Sequence, residues 1–452
     1  MRRTRDDALG TGTPERPAAR LRIRDLVAAT PTSRNRYVDL LRALAIVMVV
    51  VGHWVVSAVT VDDGRLGWVN LLWVLPWTHP VTWVFQVMPV VFLVGGYANA
   101  ASWASHRGRG GSAAAWVQAR ALRLLRPTAA FVVTLVVGYG TALALGADRW
   151  VTRTSVWLAA ISLWFLVVYL AVVSLGPVLF AWHRRWGLAG LLPLVGVVAL
   201  GDAARLLTGS AAPAAASYLV AWAAVHQLGV AWHDGSLTRS RWTAVTFSVG
   251  GPAAMVLLTV PGPYAVTMVG GAPPPELENT APPTLALLAL AVAQTGAVLL
   301  LRHAADKWLL RPRVWRAVVA VNAVALTVYL WHTVPIVLAG TTLVAGGVFP
   351  QSEVGSGAWF ALRIPWLLIL AVLLVGLVAV AGRWERRTSA HAPAHPSALA
   401  VGRGVAAALG GLAGLGVGGP DGFLPSVAGV PVAELALFAA GLAALSRSGR
   451  RR

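Results

Sequence analysis

The chain has 452 residues, 57% of them hydrophobic and 12% charged, where an ordinary soluble domain carries about 25% charged residues. So few charges do not cover the two or three soluble domains that this length would otherwise build. Cysteine is absent, which excludes disulfides, thiolate-held metals and cysteine nucleophiles together; what remains is a polytopic membrane protein.

The net charge of +20 raises the question of nucleic acid. The arginines answer it, because they fall in short clusters between long apolar runs, as the positive-inside rule requires of helical membrane proteins. No nucleic-acid partner is expected, and the lipid bilayer is. Lys307 is the single lysine.

Residues 1–36 are polar and carry nine arginines, which reads as a disordered cytoplasmic tail. It is not a signal peptide, since the apolar run begins late and no small-residue cleavage site follows it. The first span is expected at about 38–60 and the second at about 83–104. Between them lies a loop with Trp68, Trp73 and Trp77, suited to an interfacial aromatic belt. Further spans read at about 127–147, 157–181, 187–207, 214–232, 243–260, 284–301, 317–346 and 357–381, each near the ~20 residues that cross ~30 Å of hydrocarbon.

Alternate loops differ sharply in charge. Those at 107–126, 184–185, 239–241, 302–316 and 383–403 hold five, two, two, five and four arginines or lysines, whereas Arg65, Arg149 and Arg153 serve all the others. The expected fold is therefore an all-α bundle of about ten transmembrane helices, multi-pass in the plasma membrane, with the N-terminus cytoplasmic. The bundle domain covers 37–387. A Pro/His/Ser linker (388–403) and a Gly/Ala-rich extension (404–452) follow, the latter broken by Gly419-Pro420-Asp421-Gly422 and readable as a membrane hairpin or an interfacial segment.

Ionisable groups inside spans are expensive and mark function by default. Asp39 and Arg42 are three apart on the first span and share a face. Arg42 and His53 are eleven apart, which returns to nearly the same face about 16 Å along the axis. A structural account, an anchoring Asp–Arg pair and a satisfied interior histidine, competes with a catalytic one. Gln86, His226, Gln227, Gln294, Asn322 and His332 also fall within spans; singly they suit interhelical hydrogen bonds, together a polar cavity. Arg120, Arg123 and Arg126 form a cationic stripe before Pro127, suited to lipid headgroups or to the phosphates of an anionic co-substrate. No metal site is expected.

These residues resemble the signature of the membrane acyltransferase-3 family. Tyr37, Asp39 and Arg42-Ala43-Leu44-Ala45, with His53, resemble its first-helix motif. Arg120, Arg123 and Arg126-Pro127 resemble its arginine-rich motif, Leu163-Trp164-Phe165-Leu166 its fourth-helix element, and Tyr329-Leu330-Trp331-His332 its late Tyr-Leu-x-His element. The resemblance covers about 36–385 and stops short of the tail. Many members carry a glutamate in the fourth-helix region, where this chain has Val167-Val168-Tyr169.

The resemblance implies an O-acyltransferase, in the first instance an O-acetyltransferase. It would use acetyl-CoA or another acyl-CoA as co-substrate, with no permanently bound cofactor. The acceptor would be a carbohydrate, a glycolipid or a secreted natural product. His53, Arg42 and Asp39 are the expected catalytic residues and Arg120, Arg123 and Arg126 the donor site. Gln86, Trp164, His226, Gln227, Tyr329 and His332 are cavity candidates. A neutral imidazole suits the removal of a proton from an attacking alcohol. The rivals are a transporter or exporter of a sugar or small anion, and an idle acyl-carrier subunit. No internal repeat supports the first.

Overall fold

Apolar runs between arginine clusters become a helical bundle in the computed structural model, which describes residues 23–28, 30–31, 34–62, 65–270, 277–387, 396–417 and 430–447. Helix α1 (Ile23–Ala28) precedes α2 (Arg36–Val56), which runs into a hairpin of β1 (Ser57–Asp62) and β2 (Arg65–Asn70). Then come α3 (Leu71–Val74), a 3-10 turn (Pro76–Val81), α4 (Thr82–Phe85), α5 (Met88–Gly108) and α6 (Ala113–Ala144). The middle of the chain forms α7 (Arg149–Ala160), α8 (Leu163–Ser174), α9 (Gly176–Trp186), α10 (Leu191–Thr208), α11 (Ser217–His233), α12 (Arg241–Thr259) and α13 (Leu285–Trp308). The last elements are α14 (Pro312–Trp331), α15 (Val334–Ala339), α16 (Gly357–Arg387), α17 (Ala398–Val417) and α18 (Val432–Arg447).

Among the described residues, eleven helical stretches are long and apolar enough to cross a membrane. Ten fall on the runs expected from the sequence, and the eleventh lies in the Gly/Ala-rich tail. The fold is all-α and polytopic.

Several boundaries differ from expectation, each for a physical reason. Part of the arginine-rich tail is ordered: α1 sets Val27 against the core, and Thr30 Oγ1 donates to the carbonyl of Leu26 at 3.1 Å. Residues 1–22 lie outside the described residues. The third span begins at Ala113, capped by Ser112 Oγ on the Ala115 amide, so the arginine stripe and Pro127 sit inside α6. Residues 57–70 pair as an antiparallel ladder from Ser57–Asn70 to Asp62–Arg65. The last linker is shorter than expected, because α17 begins at Ala398.

Two expected spans are interrupted at mid-run. The run from Arg149 breaks at Ile161-Ser162, and the run from Pro312 breaks at His332-Thr333. The second break has a covalent cause: Pro335 has no N–H to give to the carbonyl of Trp331 four residues back. Backbone freed at membrane depth persists only where protein groups satisfy it.

Small residues draw helices together where the packing is closest. A Cβ on Gly96 of α5 would lie 2.0 Å from the carbonyl oxygen of His226 on α11, and one on Gly229 would lie 2.0 Å from that of Leu93. The tail uses the same device: a Cβ on Gly411 would meet the Phe438 nitrogen at 2.5 Å, and one on Gly441 the Ala408 nitrogen at 2.4 Å. That is why the extension is rich in glycine and alanine. The α17–α18 pair is joined to the bundle by Gln118 Nε2 of α6, which donates to the Leu445 carbonyl at 2.6 Å, and by Gly416 against Leu163 of α8.

Gly96→Leu should separate α5 from α11, since the obstructing atom is backbone and has no rotamer to yield. The expected result is loss of monodisperse protein in fluorescence-detected size exclusion. A normal profile would show that this crossing tolerates a side chain.

Candidate active site

Helix α2 carries candidate residues at both ends. Asn35 caps it by accepting from the amides of Tyr37 and Val38, which sets the phase that places Asp39 and Arg42 on one face. Asp39 is 4% exposed and accepts from Arg34 Nε at 2.5 Å and Arg34 Nη2 at 2.9 Å. Arg42 Nη1 adds a third bond to Asp39 at 3.2 Å. The bidentate partner of Asp39 is thus Arg34, which precedes the helix, and Arg42 is held by one hydrogen bond. Asn322 Nδ2 donates to the Asp39 carbonyl at 2.8 Å, tying α14 to the same turn.

Arg42 keeps 36% of its side chain exposed. It and Arg123 lie within electrostatic range of Arg120, whose guanidinium stands 5.5 Å over the Trp116 ring. Cations from α2 and α6, distant in sequence, therefore form one group. Arg126, half-buried, follows on the same helix.

At the far end of α2, His53 Nδ1 meets His332 Nε2 at 2.7 Å, and the two rings stack with centroids 4.9 Å apart. His332 is fully buried, and its Nδ1 lies 2.6 Å from the carbonyl oxygen of Tyr329. A carbonyl only accepts, so His332 Nδ1 carries the proton and its Nε2 is an acceptor. His53 Nδ1 must then donate, which leaves the lone pair of neutral His53 on Nε2, where no hydrogen bond is made among the described residues. Trp54 Nε1 donates to the His332 carbonyl at 2.6 Å, so the interrupted turn of α14 is fastened to α2 by two consecutive residues.

The opposite break supplies the other half of the support. Tyr329 Oη donates to the Ser162 carbonyl at 2.8 Å, and Thr333 Oγ1 donates to the Ala159 carbonyl at 3.0 Å. The Ala159 carbonyl lies at the end of α7, before the interruption, whereas the Ser162 carbonyl opens α8 and gains Tyr329 as an additional donor.

The remaining sequence candidates lie elsewhere. Gln86 Nε2 donates to the Met268 carbonyl at 2.8 Å, and Gln294 Nε2 to the carbonyls of Gln86 and Trp83 at 2.9 and 3.2 Å; these amides brace the α4–α5 junction and the 260–284 connection. His226 Nε2 faces Asn99 Nδ2 at 3.3 Å, and its Nδ1 is buried without a partner. Gln227 Nε2 donates to the Leu179 carbonyl at 2.8 Å. Trp164 lies 6.5 Å from Trp222, ring to ring. None of these is bonded to the histidine pair. Among the described residues no cluster of His, Asp or Glu suits a metal ion. Arg34 and Trp54 were not singled out from the sequence; the first lies before the apolar run, and the second reads as ordinary apolar content.

Chemically, one end of α2 is a cationic group able to hold phosphates. The other presents an imidazole nitrogen with a directed lone pair, the feature a general base needs. A family profile described as Acyltransferase domain matches residues 35–444. That match runs through α17 and α18, further than the sequence motifs reach. No curated protein and no solved structure matches the chain.

Tyr329→Phe should remove the hydrogen bond to the Ser162 carbonyl, at a cost of about 0.5–1.5 kcal/mol. A lower unfolding midpoint of the detergent-solubilised protein is the expected reading. An unchanged midpoint would mean that this hydrogen bond contributes nothing to stability.

Proposed function

Because the chain belongs to the membrane acyltransferase-3 family, we propose that it moves an acyl group, in the first instance acetyl, from acyl-CoA to a hydroxyl of a cell-surface carbohydrate, a glycolipid or a secreted metabolite. The observation that carries this reading is the His53–His332 pair with its directed tautomer. The acceptor hydroxyl gives its proton to His53 Nε2 as its oxygen bonds to the thioester carbon. The carbon–sulfur bond breaks, and the departing thiolate of CoA takes the proton back from the imidazolium. His332 acts through His53: it fixes the tautomer and accepts the Nδ1 proton throughout.

Arg42, Arg120, Arg123 and Arg126 suit the phosphates of CoA, since guanidinium binds phosphate through paired N–H donors. Asp39 orients Arg42. The cationic group and His53 are separated by about 16 Å along α2, a span of the order of an extended pantetheine arm. With the N-terminus cytoplasmic in the plasma membrane, donor entry lies on the inside and His53 towards the outer leaflet. The acyl group would then meet an acceptor arriving from the opposite side.

His53→Ala should lower transfer from labelled acetyl-CoA by about 10²–10⁴-fold while the protein stays folded and membrane-inserted. Activity within a few-fold of the parent would remove His53 from the mechanism. Arg123→Ala and Arg126→Ala should raise the Michaelis constant for acyl-CoA; a change confined to acceptor kinetics would return these residues to lipid anchoring.

Orientation is testable because the chain lacks cysteine. Single cysteines within 107–119 should react with impermeant maleimide only in permeabilised cells, and those within 62–78 in intact cells. The reverse pattern would invert the protein and discard transfer across the bilayer, though not the family assignment.

A further inference from the structure

A second polar recess lies beside the hairpin, apart from the cationic group on α2 and α6. It is a small recess, lined in part by Thr60, Phe349, Ser352, Trp359 and Arg363. Its walls are β1, the 345–356 connection and the first turns of α16. Arg363 was not among the residues that the sequence brought forward, although it is a charged residue within an apolar helix, where charges are costly and functional by default.

The guanidinium of Arg363 is fixed in plane and direction. It stands 4.2 Å over the Trp359 ring, with the Trp366 ring centroid at 5.6 Å; aromatic faces attract such a cation electrostatically. Nη1 donates to the Ser57 carbonyl at 3.4 Å. Nε is buried and has no partner, and neither has Ser352 Oγ across the recess. Among the described residues no carboxylate pairs with Arg363. A buried donor left unpaired is costly, and here a cation and a hydroxyl are left so in the same recess.

The recess is also joined to the catalytic helix. The Ser57 amide donates to the His53 carbonyl as the cap of α2, and the Ser57 carbonyl accepts from Arg363. One residue, Ser57, therefore links Arg363 to the turn that carries His53.

We propose that this recess receives an oxyanion of the acceptor, a carboxylate or a phosphate, with Arg363 Nε and Ser352 Oγ as the donors. An oxyanion suits the site because a guanidinium edge presents N–H donors that match carboxylate and phosphate oxygens. A neutral sugar would leave the charge uncompensated. The acceptor is then an acidic glycan or phosphorylated glycolipid, held by its anion while a neighbouring hydroxyl is offered to His53. This assignment rests on the acyl-transfer reading for the word acceptor, and on the recess alone for the anion.

The test uses the full chain in detergent and three probes that differ only at C6: methyl β-glucoside, methyl β-glucuronide and methyl β-glucoside 6-phosphate. A ligand that binds the folded state raises the unfolding midpoint in proportion to its occupancy. The parent protein should be stabilised by a charged sugar and not by the neutral one, with the carboxylate and phosphate arms separating the two sources of the anion. Arg363→Ala should weaken that binding by at least about tenfold. Arg363→Lys, which keeps the charge and the fold but loses the planar edge, should do nearly the same, Ser352→Ala should weaken it several-fold, and His53→Ala should leave it intact. Equal responses to all three probes, no response to either charged one, or undiminished affinity in Arg363→Lys would overturn the proposal. Charged-sugar binding that depends on Arg363, together with no acetylated product from any probe, would keep the anion recess while overturning its acceptor role and the transfer reaction.

Discussion

Two interrupted helices facing each other at membrane depth are the constraint on which the rest of this structure depends. Hydrocarbon offers no water to satisfy a freed carbonyl. The Ala159 carbonyl is therefore met by Thr333 and those of Tyr329 and His332 by His332 and Trp54, while Tyr329 adds a bond to the Ser162 carbonyl at the start of α8. Every one of these bonds crosses or closes the break at His332-Thr333. The local requirement for satisfied backbone thus fixes the ring of His332, and that ring fixes the proton of His53. An uninterrupted α14 would spend its carbonyls on its own amides, and His332 would lose the bond that sets its tautomer.

The second organising force is electrostatic. Like charges repel, yet Arg42, Arg120 and Arg123 are held near one another. Asp39 offsets part of that repulsion, but its stronger bonds go to Arg34. A surplus of positive charge therefore persists at this end of the bundle. That surplus favours an anionic partner, and it falls at the opposite end of α2 from the histidines.

Much of this was legible in the sequence. The spans, the share of α2 residues on one face and the arginine stripe follow from a period of 3.6 and from charge placement. His53 and His332 were each visible as costly intramembrane groups. Their contact was not, because they are 279 positions apart and meet only through the interruption before Pro335. Pro335 was the available signal. The hairpin also had one: Asp63-Gly64 between Ser57–Asp62 and Arg65–Asn70 is a dipeptide strongly favoured in tight β-turns. The amides at Gln86 and Gln294 resisted reading for a different reason. Whether an intramembrane amide braces backbone or lines a cavity depends on neighbours that no local pattern specifies.

The glycine-lined seat of α17 and α18 has a consequence for the order of assembly. Helices of a membrane protein insert first and associate afterwards, and synthesis delivers the earlier ones long before the later. Until α17 arrives, Leu163 of α8 and the Gln118 side chain of α6 have lipid where Gly416 and the Leu445 carbonyl will be. The nascent bundle therefore carries an open lateral seam beside the interruption that Tyr329 bridges. Closure of the seam by α17 and α18 then comes after synthesis of α2 and α14, the helices from which the histidine pair is built.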